Sequence, residues 1–304
     1  MHMGSTEVTQ VFAAADIVGE SIVWDERNAE LFWVDLVGKR LHRMHPESGR
    51  HAVFSADQFV TSVGLCADDS GRLIVGLERD VALWSWGEDF KIVATPEPDL
   101  ADNRLNEGKV GPDGAYWVAT MRTNLHPDGQ PKPMNTPAGH LYRIAADSTC
   151  VTATPEIFTL PNTLAWTDDR RLIIADTAAN TIYQYTLGAD GLPQGERRTF
   201  ALPFERGFPD GSCMDDEGYL WNCRVDGGYA VARYAPDGTL DRVVELPCAW
   251  PTSCCFGGPN LDRLYITSAR FTMSEDHLAQ NPQEGALFSV DVGVKGRLEH
   301  RFGG

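Results

Sequence analysis

A polar residue followed by a short apolar strand recurs six times along this chain of 304 residues. In each copy a turn, usually rich in Asp or Gly, leads to a second apolar strand, and a third strand follows later. The third strands alternate apolar and polar residues, which is typical of half-buried strands. They begin at Leu41, Leu83, Leu141, Ile182, Val231 and Leu287. Because this spacing is close to the blade length of a β-propeller, the repeat predicts an all-β fold, a six-bladed β-propeller.

The organisation of the chain favours one propeller over other all-β folds. A jelly roll or a sandwich would also supply short strands, but not six ordered copies of one strand triplet. No composition shift or linker marks a boundary, so we expect residues 1–304 to form a single domain. Residues 8–17 are predicted to add an outer strand to the last blade, because such closure removes an exposed sheet edge. Residues 1–5, Met-His-Met-Gly-Ser, are interpreted as an expression remnant rather than a signal peptide.

Composition excludes several classes of function. The formal net charge of −17 argues against a nucleic-acid surface, which is normally basic. No apolar run approaches the roughly 20 residues needed to cross a membrane. Without a recognisable signal the expected location is the cytoplasm, and a monomer is the default for a closed propeller. The seven cysteines are irregularly spaced and predict buried, reduced thiols.

The polar residues that begin the repeats predict a site. In a propeller the innermost strand of each blade lines the central channel, so equivalent positions converge at its mouth. These positions are Glu20, Ser62, Asn106 or Glu107, Asn162, Asp210, and Thr252 or Ser253. Carboxylate and amide oxygens are ligands that hard divalent cations prefer. Solvated channel walls are the alternative, and they account best for Ser62 and Thr252. Glu20, Asn162 and Asp210 favour a metal site.

Other catalytic constellations are weaker. The sequence has no Gly-x-Ser-x-Gly elbow, phosphate-binding loop or His-Glu-x-x-His motif. Most histidines fall in outer strands, turns or loops of the predicted blades. The segment 121–139, with Arg122 and His126, is longer than a hairpin needs. It is interpreted either as a binding loop or as a surface excursion.

Several motifs in order give the chain a family resemblance. They include Gly-Glu-Ser-Ile-Val-Trp-Asp at residues 19–25 and Arg-Leu-Asn-Glu-Gly-Lys at 104–109. Pro-Asn-Thr-Leu-Ala-Trp at 161–166, Pro-Asp-Gly-Ser at 209–212 and Cys-Phe-Gly-Gly-Pro-Asn at 255–260 continue the match. The sequence resembles the SMP-30/gluconolactonase family over about residues 15–292. This resemblance implies a six-bladed propeller with one catalytic divalent cation.

The resemblance also implies roles for individual residues. Glu20, Asn162 and Asp210 match the family's metal ligands, and Arg104 and Asn106 match its substrate contacts. Glu107 replaces the family's usual aspartate. Some members carry a glutamate after the Thr-Met of the third blade, where this chain has Arg122 and Thr123. Arg122 is therefore a further candidate for substrate binding.

The function predicted in this way is metal-dependent hydrolysis of a sugar lactone, a pentono- or hexonolactone, to its aldonic acid. Asp210 is the candidate general base. The expected cofactor is one divalent cation, with Ca²⁺, Zn²⁺, Mg²⁺, Mn²⁺ and Fe²⁺ all compatible with oxygen ligands. Two alternatives stay open: an organophosphate-type phosphotriesterase, and a calcium- or ligand-binding propeller without catalysis.

Overall fold

The computed structural model describes residues 7–134 and 136–304, and its strands are grouped in six sheets. The N-terminal strand is β1 (Thr9–Phe12). The first blade contains β2 (Gly19–Asp25), β3 (Glu30–Asp35), β4 (Arg40–His45) and β5 (Arg50–Ser55). The second contains β6 (Val60–Cys66), β7 (Leu73–Leu77), β8 (Val81–Trp84) and β9 (Lys91–Ala94). The third contains β10 (Asn103–Val110), β11 (Tyr116–Arg122), β12 (Leu141–Ile144) and β13 (Cys150–Thr152).

The remaining blades repeat this order. The fourth contains β14 (Pro161–Trp166), β15 (Arg171–Asp176), β16 (Thr181–Leu187) and β17 (Pro193–Ala201). The fifth contains β18 (Phe208–Met214), β19 (Leu220–Val225), β20 (Ala230–Tyr234) and β21 (Leu240–Glu245). The sixth contains β22 (Pro251–Gly257), β23 (Arg263–Ser268) and β24 (Leu287–Asp291), and the last strand of the chain is β25 (Arg301–Phe302). A 3₁₀ turn covers Thr177–Ala179, and one α-helical turn, α1, covers Glu275–Gln280. No helix within the described ranges has the length and apolar character needed to span a membrane.

The six blades form a closed ring, which confirms the predicted β-propeller. The innermost strands β2, β6, β10, β14, β18 and β22 each contact the next one around the ring, and β22 contacts β2. Strand β1 pairs antiparallel with β24, with Thr9 opposite Ser289. The N-terminal segment therefore supplies the outer strand of the sixth blade, as predicted. Residues 1–5 lie outside the described residues.

The hydrophobic core is divided among the interfaces between adjacent blades. Each of the six interfaces has its own cluster of buried side chains. Between the fifth and sixth blades, Trp221, Phe256 and Phe288 are almost fully buried. Burying one such side chain stabilises the fold by roughly 1.5–3 kcal/mol. The apolar faces of the repeated strands thus hold neighbouring blades in register and leave the channel to the polar residues.

A β-bulge interrupts each innermost strand at its channel-mouth position. The register shifts lie between Glu20 and Val23 in β2, between Asn162 and Leu164 in β14, and at the equivalent places in the other four blades. The residues after Glu20 and Asn162, Ser21 and Thr163, have φ angles of 52° and 57°, in the left-handed region. A bulge bends its strand and re-aims a side chain. Local backbone strain of this kind is concentrated where side chains must be placed for function.

The C-terminal segment crosses the other end of the channel. Gly296 forms an isolated bridge with Asp215 at the end of the fifth blade's inner strand. Glu299 then pairs with Lys109 of β10, with 3.1 Å between Nζ and Oε1. Strand β25 finally pairs parallel with the end of β6. This segment therefore closes the channel opposite the polar mouth.

The cysteines follow the prediction of reduced thiols. All seven are free, and only Cys150 is exposed. Cys213 and Cys254, on the inner strands of neighbouring blades, have sulfur atoms 3.5 Å apart. Their contact is part of the packing between the fifth and sixth blades.

Candidate metal and substrate site

The predicted site residues converge on one cavity at the channel mouth. Glu20, Asn162 and Asp210, from the first, fourth and fifth blades, line a cavity of about 120 Å³. Arg104 and Asn106 from the third blade line the same cavity. The bulges place Glu20, Asn106, Asn162 and Asp210, which lie at or within the register shifts, and Arg104 comes just before the shift in β10. The structure thus brings together five of the six predicted site residues.

Glu20 and Asp210 form a pair of carboxyl groups without a neutralising partner. The two side chains are within hydrogen-bonding reach of each other. Burial, followed by repulsion from Asp210 and Glu107, raises the pKa of Glu20 well above its usual range. Burial and Glu107 also raise the pKa of Asp210. In the described part of the chain neither carboxyl group forms a salt bridge, and Arg224 makes only the smallest of the contributions to the pKa of Asp210. The pair is therefore suited to a bound cation.

Asn162 supplies an oriented amide oxygen beside these carboxylates. Its Nδ2 donates to Thr177 Oγ1 at 2.8 Å, which directs Oδ1 towards Asn106. Asn106 Nδ2 donates to that oxygen at 3.0 Å, and one lone pair remains. Among the described residues, no group of three or more His, Cys, Asp or Glu side chains could hold a metal. Two carboxylates and one amide oxygen nevertheless match the hard oxygen donors that Ca²⁺, Mg²⁺ and Mn²⁺ prefer.

Arg104 is held rigidly at the edge of the cavity. Its Nη1 donates to the carbonyl of Leu105 at 2.7 Å and to Asn106 Oδ1 at 2.8 Å. Nη2 donates to Asn124 Oδ1 at 2.8 Å, and Nε donates to the same oxygen at 3.3 Å. Burial lowers the pKa of Arg104 to about 10, so the guanidinium stays charged at neutral pH. One Nη2 proton is free for a ligand, since a guanidinium has five N–H groups.

The structure shows which residue faces the cavity at the two positions where the repeat pattern allowed either of two neighbours. Asn106 and Thr252 line the cavity, whereas Glu107 and Ser253 do not. Ser62 lies in the channel wall and shares a hydrogen bond with the Tyr116 hydroxyl at 2.7 Å. Burial raises the pKa of Glu107 to about 7, although Lys109 opposes this shift. Glu107 is therefore a buried channel residue beneath the site.

Arg122 lies apart from the other predicted site residues. Its side chain is half exposed and pairs with Asp102, with 2.9 Å between Nη2 and Oδ2. The long segment contributes Asn124 and Leu125 to the cavity instead. Sequence reasoning missed both residues, because the chain turns after β11 and presents residues further along to the site. Their place in a long segment rich in Pro, Asn and Gly was the only signal.

An apolar cluster completes the cavity. Val18, Leu36, Val37, Leu125 and Phe271 line it and pack together. They belong to segments that connect the strands rather than to the bulged inner strands. We call these five residues the apolar wall. The inner strands supply the polar side of the cavity, which we call the floor: Glu20, Arg104, Asn106, Asn162 and Asp210.

Comparison with known proteins identifies the family. The model for the SMP-30/Gluconolactonase/LRE-like region matches residues 18–270, a span that includes every residue of the floor. The chain belongs to this family. Regucalcin of Gallus gallus is 32% identical over 99% of this chain and all of its own length. The 6-deoxy-6-sulfogluconolactonase of Pseudomonas putida is 33% identical over 95% of this chain and 96% of its own.

Solved structures of the SMP-30/gluconolactonase family share the same ring. A calcium-binding protein, regucalcin, from Agrobacterium tumefaciens superposes with a TM-score of 0.88 and 28% identity. The match covers 98% of this chain and 97% of that one. The common architecture therefore extends over nearly the whole length of both proteins.

Proposed function

We propose that this protein is a metal-dependent lactonase that hydrolyses a sugar lactone to its aldonic acid. The observation that carries the proposal is the unneutralised pair Glu20 and Asp210 beside Asn162, in a cavity that also presents Arg104 and Asn124. Membership of a family with a named sugar lactonase, the Pseudomonas putida relative, supports it.

Glu20, Asn162 and Asp210 are the residues that would hold the cation. A bound divalent cation polarises a carbonyl group and lowers the pKa of water. Its positive charge would also offset the repulsion between the two carboxylates, so that both can be ionised. Thr177 and Asn106 keep the Asn162 oxygen facing the site.

Arg104 and Asn124 would position the lactone. The free Nη2 proton of Arg104 and the Asn124 amide can donate to the ring oxygens or hydroxyls of a substrate. Because the guanidinium is fixed by Leu105, Asn106 and Asn124, it loses little freedom when the substrate binds. Asn106 supports Arg104 and Asn162 at the same time, since its amide contacts both.

Asp210 is our candidate general base. A carboxylate oxygen of Asp210 would accept a proton from the attacking water as the new C–O bond forms. The ring C–O bond then breaks, and the departing alkoxide takes this proton from Asp210, which gives the hydroxy acid and restores the Asp210 carboxylate; the new carboxyl group then releases a proton to the solvent. Glu20 would remain ionised throughout.

The test combines removal of the metal with a substrate panel. Protein stripped with a chelator is assayed against pentono- and hexonolactones by proton release, before and after Ca²⁺, Zn²⁺, Mg²⁺, Mn²⁺ or Fe²⁺ is added. We expect hydrolysis only with a cation present. Asp69→Asn, at a 98% exposed side chain, is the control substitution and should retain full activity. Metal uptake without turnover of any lactone would instead support a purely calcium-binding propeller, and cleavage of phosphotriesters alone would support the phosphotriesterase.

A further inference from the structure

The apolar wall offers no hydrogen bond from its side chains. Val18, Leu36, Val37, Leu125 and Phe271 form one packed cluster with Phe59. Leu36 and Leu125 are each 4% exposed, and Val18, Val37 and Phe271 are partly buried against them. A hydroxyl group against such a wall loses its water and gains no partner, whereas a methyl group gains apolar contact.

Positive charge in the cavity is confined to Arg104. It is the single lysine or arginine among the described residues that line the cavity. Four of its five N–H groups already donate to Leu105, Asn106 and Asn124. Arg122, the next candidate, is paired with Asp102 outside the cavity. A substrate with an anionic end group would therefore bring a charge that this cavity does not neutralise.

The other polar side chains are largely engaged with the protein itself. Thr177 Oγ1 donates to the carbonyl of Pro209 at 2.6 Å, and the Thr252 hydroxyl donates to the carbonyl of Gly19. The Asn106 amide donates to the carbonyl of Pro161 and to Asn162. Donors for a ligand are thus concentrated at Arg104, Asn124 and the indole N–H of Trp250, none of which belongs to the apolar wall. The reacting end of a lactone belongs near the floor, and its far end is left to the apolar wall.

We propose that the site selects uncharged lactones whose exocyclic end is a methyl group, namely deoxy-terminal aldonolactones, over those that end in a hydroxymethyl or an anionic group. This inference rests on the lactonase function proposed above and names its substrate class. It separates this chain from its Pseudomonas putida relative, whose name specifies a sulfonated lactone.

The first experiment compares substrates that differ by one oxygen. kcat/KM is measured for galactono-1,4-lactone and 6-deoxygalactono-1,4-lactone, and for mannono-1,4-lactone and 6-deoxymannono-1,4-lactone, each as both enantiomers. We expect the deoxy member of the preferred stereochemical series to be faster by roughly 10- to 100-fold, the range that an apolar pocket achieves for a single group. 6-Phosphogluconolactone, as the anionic probe, should be slower than gluconolactone.

A second experiment tests the wall itself. Val37→Thr keeps the shape of the side chain and adds a hydroxyl group, and Val53→Thr makes the same change at a 43% exposed position on β5. We expect the preference for the methyl group to fall about three- to tenfold in Val37→Thr and to stay unchanged in Val53→Thr. Phe271→Asn, at a half-buried position, should reduce the preference in the same direction. If Val37→Thr and Phe271→Asn both kept the preference of the unmodified protein, the assignment of the wall would be wrong.

The outcomes distinguish this inference from the function on which it rests. Hydrolysis of hydroxymethyl lactones at rates equal to or above those of their deoxy partners would overturn the inference and leave the lactonase intact. If no lactone is hydrolysed, the lactonase proposal fails. Calorimetric binding of 1,5-anhydrogalactitol and its 6-deoxy analogue, which lack the carbonyl, then still tests the wall. Tighter binding of the deoxy analogue supports the inference, and equal or weaker binding rejects it.

Discussion

Buried acidic groups lie at both ends of the central channel, but they have a basic partner at only one end. At the polar mouth Glu20 and Asp210 lie together, and in the described part of the chain no salt bridge neutralises them. At the far end the Glu299 carboxylate meets Lys109 at 3.1 Å. An unpaired buried charge is costly, and a paired one much less so.

The C-terminal segment accounts for much of the difference. It carries Glu299 into the channel, and it brings Arg301 to within 2.6 Å of Asp25 and 2.7 Å of Glu26. The far end is thus neutralised by the protein's own residues. The mouth keeps two adjacent carboxyl groups whose ionisation is disfavoured by burial, which is the state expected of a site completed by a cation. Five predictions test this contrast, from the largest expected effect to the smallest.

Asp210→Asn should reduce kcat by about 10²–10⁴-fold, the range for losing a general base. The protein should remain folded, because the amide keeps the shape of the side chain and removes the repulsion with Glu20. Proton-release assays and circular dichroism measure the two effects. Lactonase activity close to that of the unmodified protein would remove Asp210 from the reaction.

Lys109→Met should destabilise the fold by about 3–5 kcal/mol, because it leaves the largely buried Glu299 carboxylate, whose side chain is 14% exposed, without its partner. The double variant Lys109→Met/Glu299→Leu should recover most of this loss. Denaturant unfolding of the two single variants and the double variant gives the coupling energy. Additive effects would show that the two groups do not form a working pair.

Cation binding should raise the free energy of unfolding by about 2.7–4 kcal/mol at 100 to 1,000 times the dissociation constant. Glu20→Gln should abolish most of this gain, because it removes one carboxylate ligand. Glu299→Gln should retain it, since the far end already has its cation. Thermal unfolding with and without metal measures this stabilisation in each variant. If Glu20→Gln and Glu299→Gln lost it equally, the cation would not be specific to the polar mouth.

The metal-free protein should lose stability as pH rises from about 4.5 to 7. The pKa of Glu107 rises from 4.5 to about 7 on folding, so its stabilising contribution is complete below pH 4.5 and disappears above pH 7. The difference is worth about 3 kcal/mol at most. Glu107→Gln should reduce the decline in denaturant unfolding without abolishing it, because Glu20 and Asp210, whose pKa values are also raised, contribute in the same direction; an unchanged slope would count against the buried position of Glu107.

Arg122→Ala should change kcat/KM by less than about twofold and stability by less than about 1 kcal/mol, because its ion pair with Asp102 is exposed. Asn124→Ala, in the same segment, should raise KM, since it removes a cavity amide and frees Arg104. Steady-state kinetics on the two variants compare them directly. A larger change in kcat/KM for Arg122→Ala than for Asn124→Ala would show that Arg122, and not Asn124, contacts the substrate.

The blade pattern and the ring positions could be predicted because they depend on local sequence. Alternation, turn residues and the repeat spacing placed all six strand triplets and selected Glu20, Asn162 and Asp210. The bulges could not be predicted, since Ser21 and Thr163 are ordinary residues whose left-handed backbone is set by pairing between strands. The bulges determine which of two adjacent residues faces the cavity, and for this reason Asn106 lines it and Glu107 does not.

Side chains in the connections were beyond sequence reasoning for a different reason. Arg122 was favoured for its charge, but the direction of a side chain at the end of a strand depends on the path of the following loop. That path brings Asn124 and Leu125 to the cavity. The C-terminal segment was equally hidden, because strand β25 is only two residues long and shows no alternation.

The pairing of β1 with β24 has a consequence for how the ring assembles. Five blades contain four consecutive strands each, which can form from hairpins between sequence neighbours, and β25 is then added to the second of them. The sixth must wait until Thr9 meets Ser289. Contacts of such large sequence separation slow folding, although the entropic cost of closing a loop grows only slowly with its length. During synthesis the sixth blade therefore exposes an open sheet edge until the N-terminal strand docks onto it.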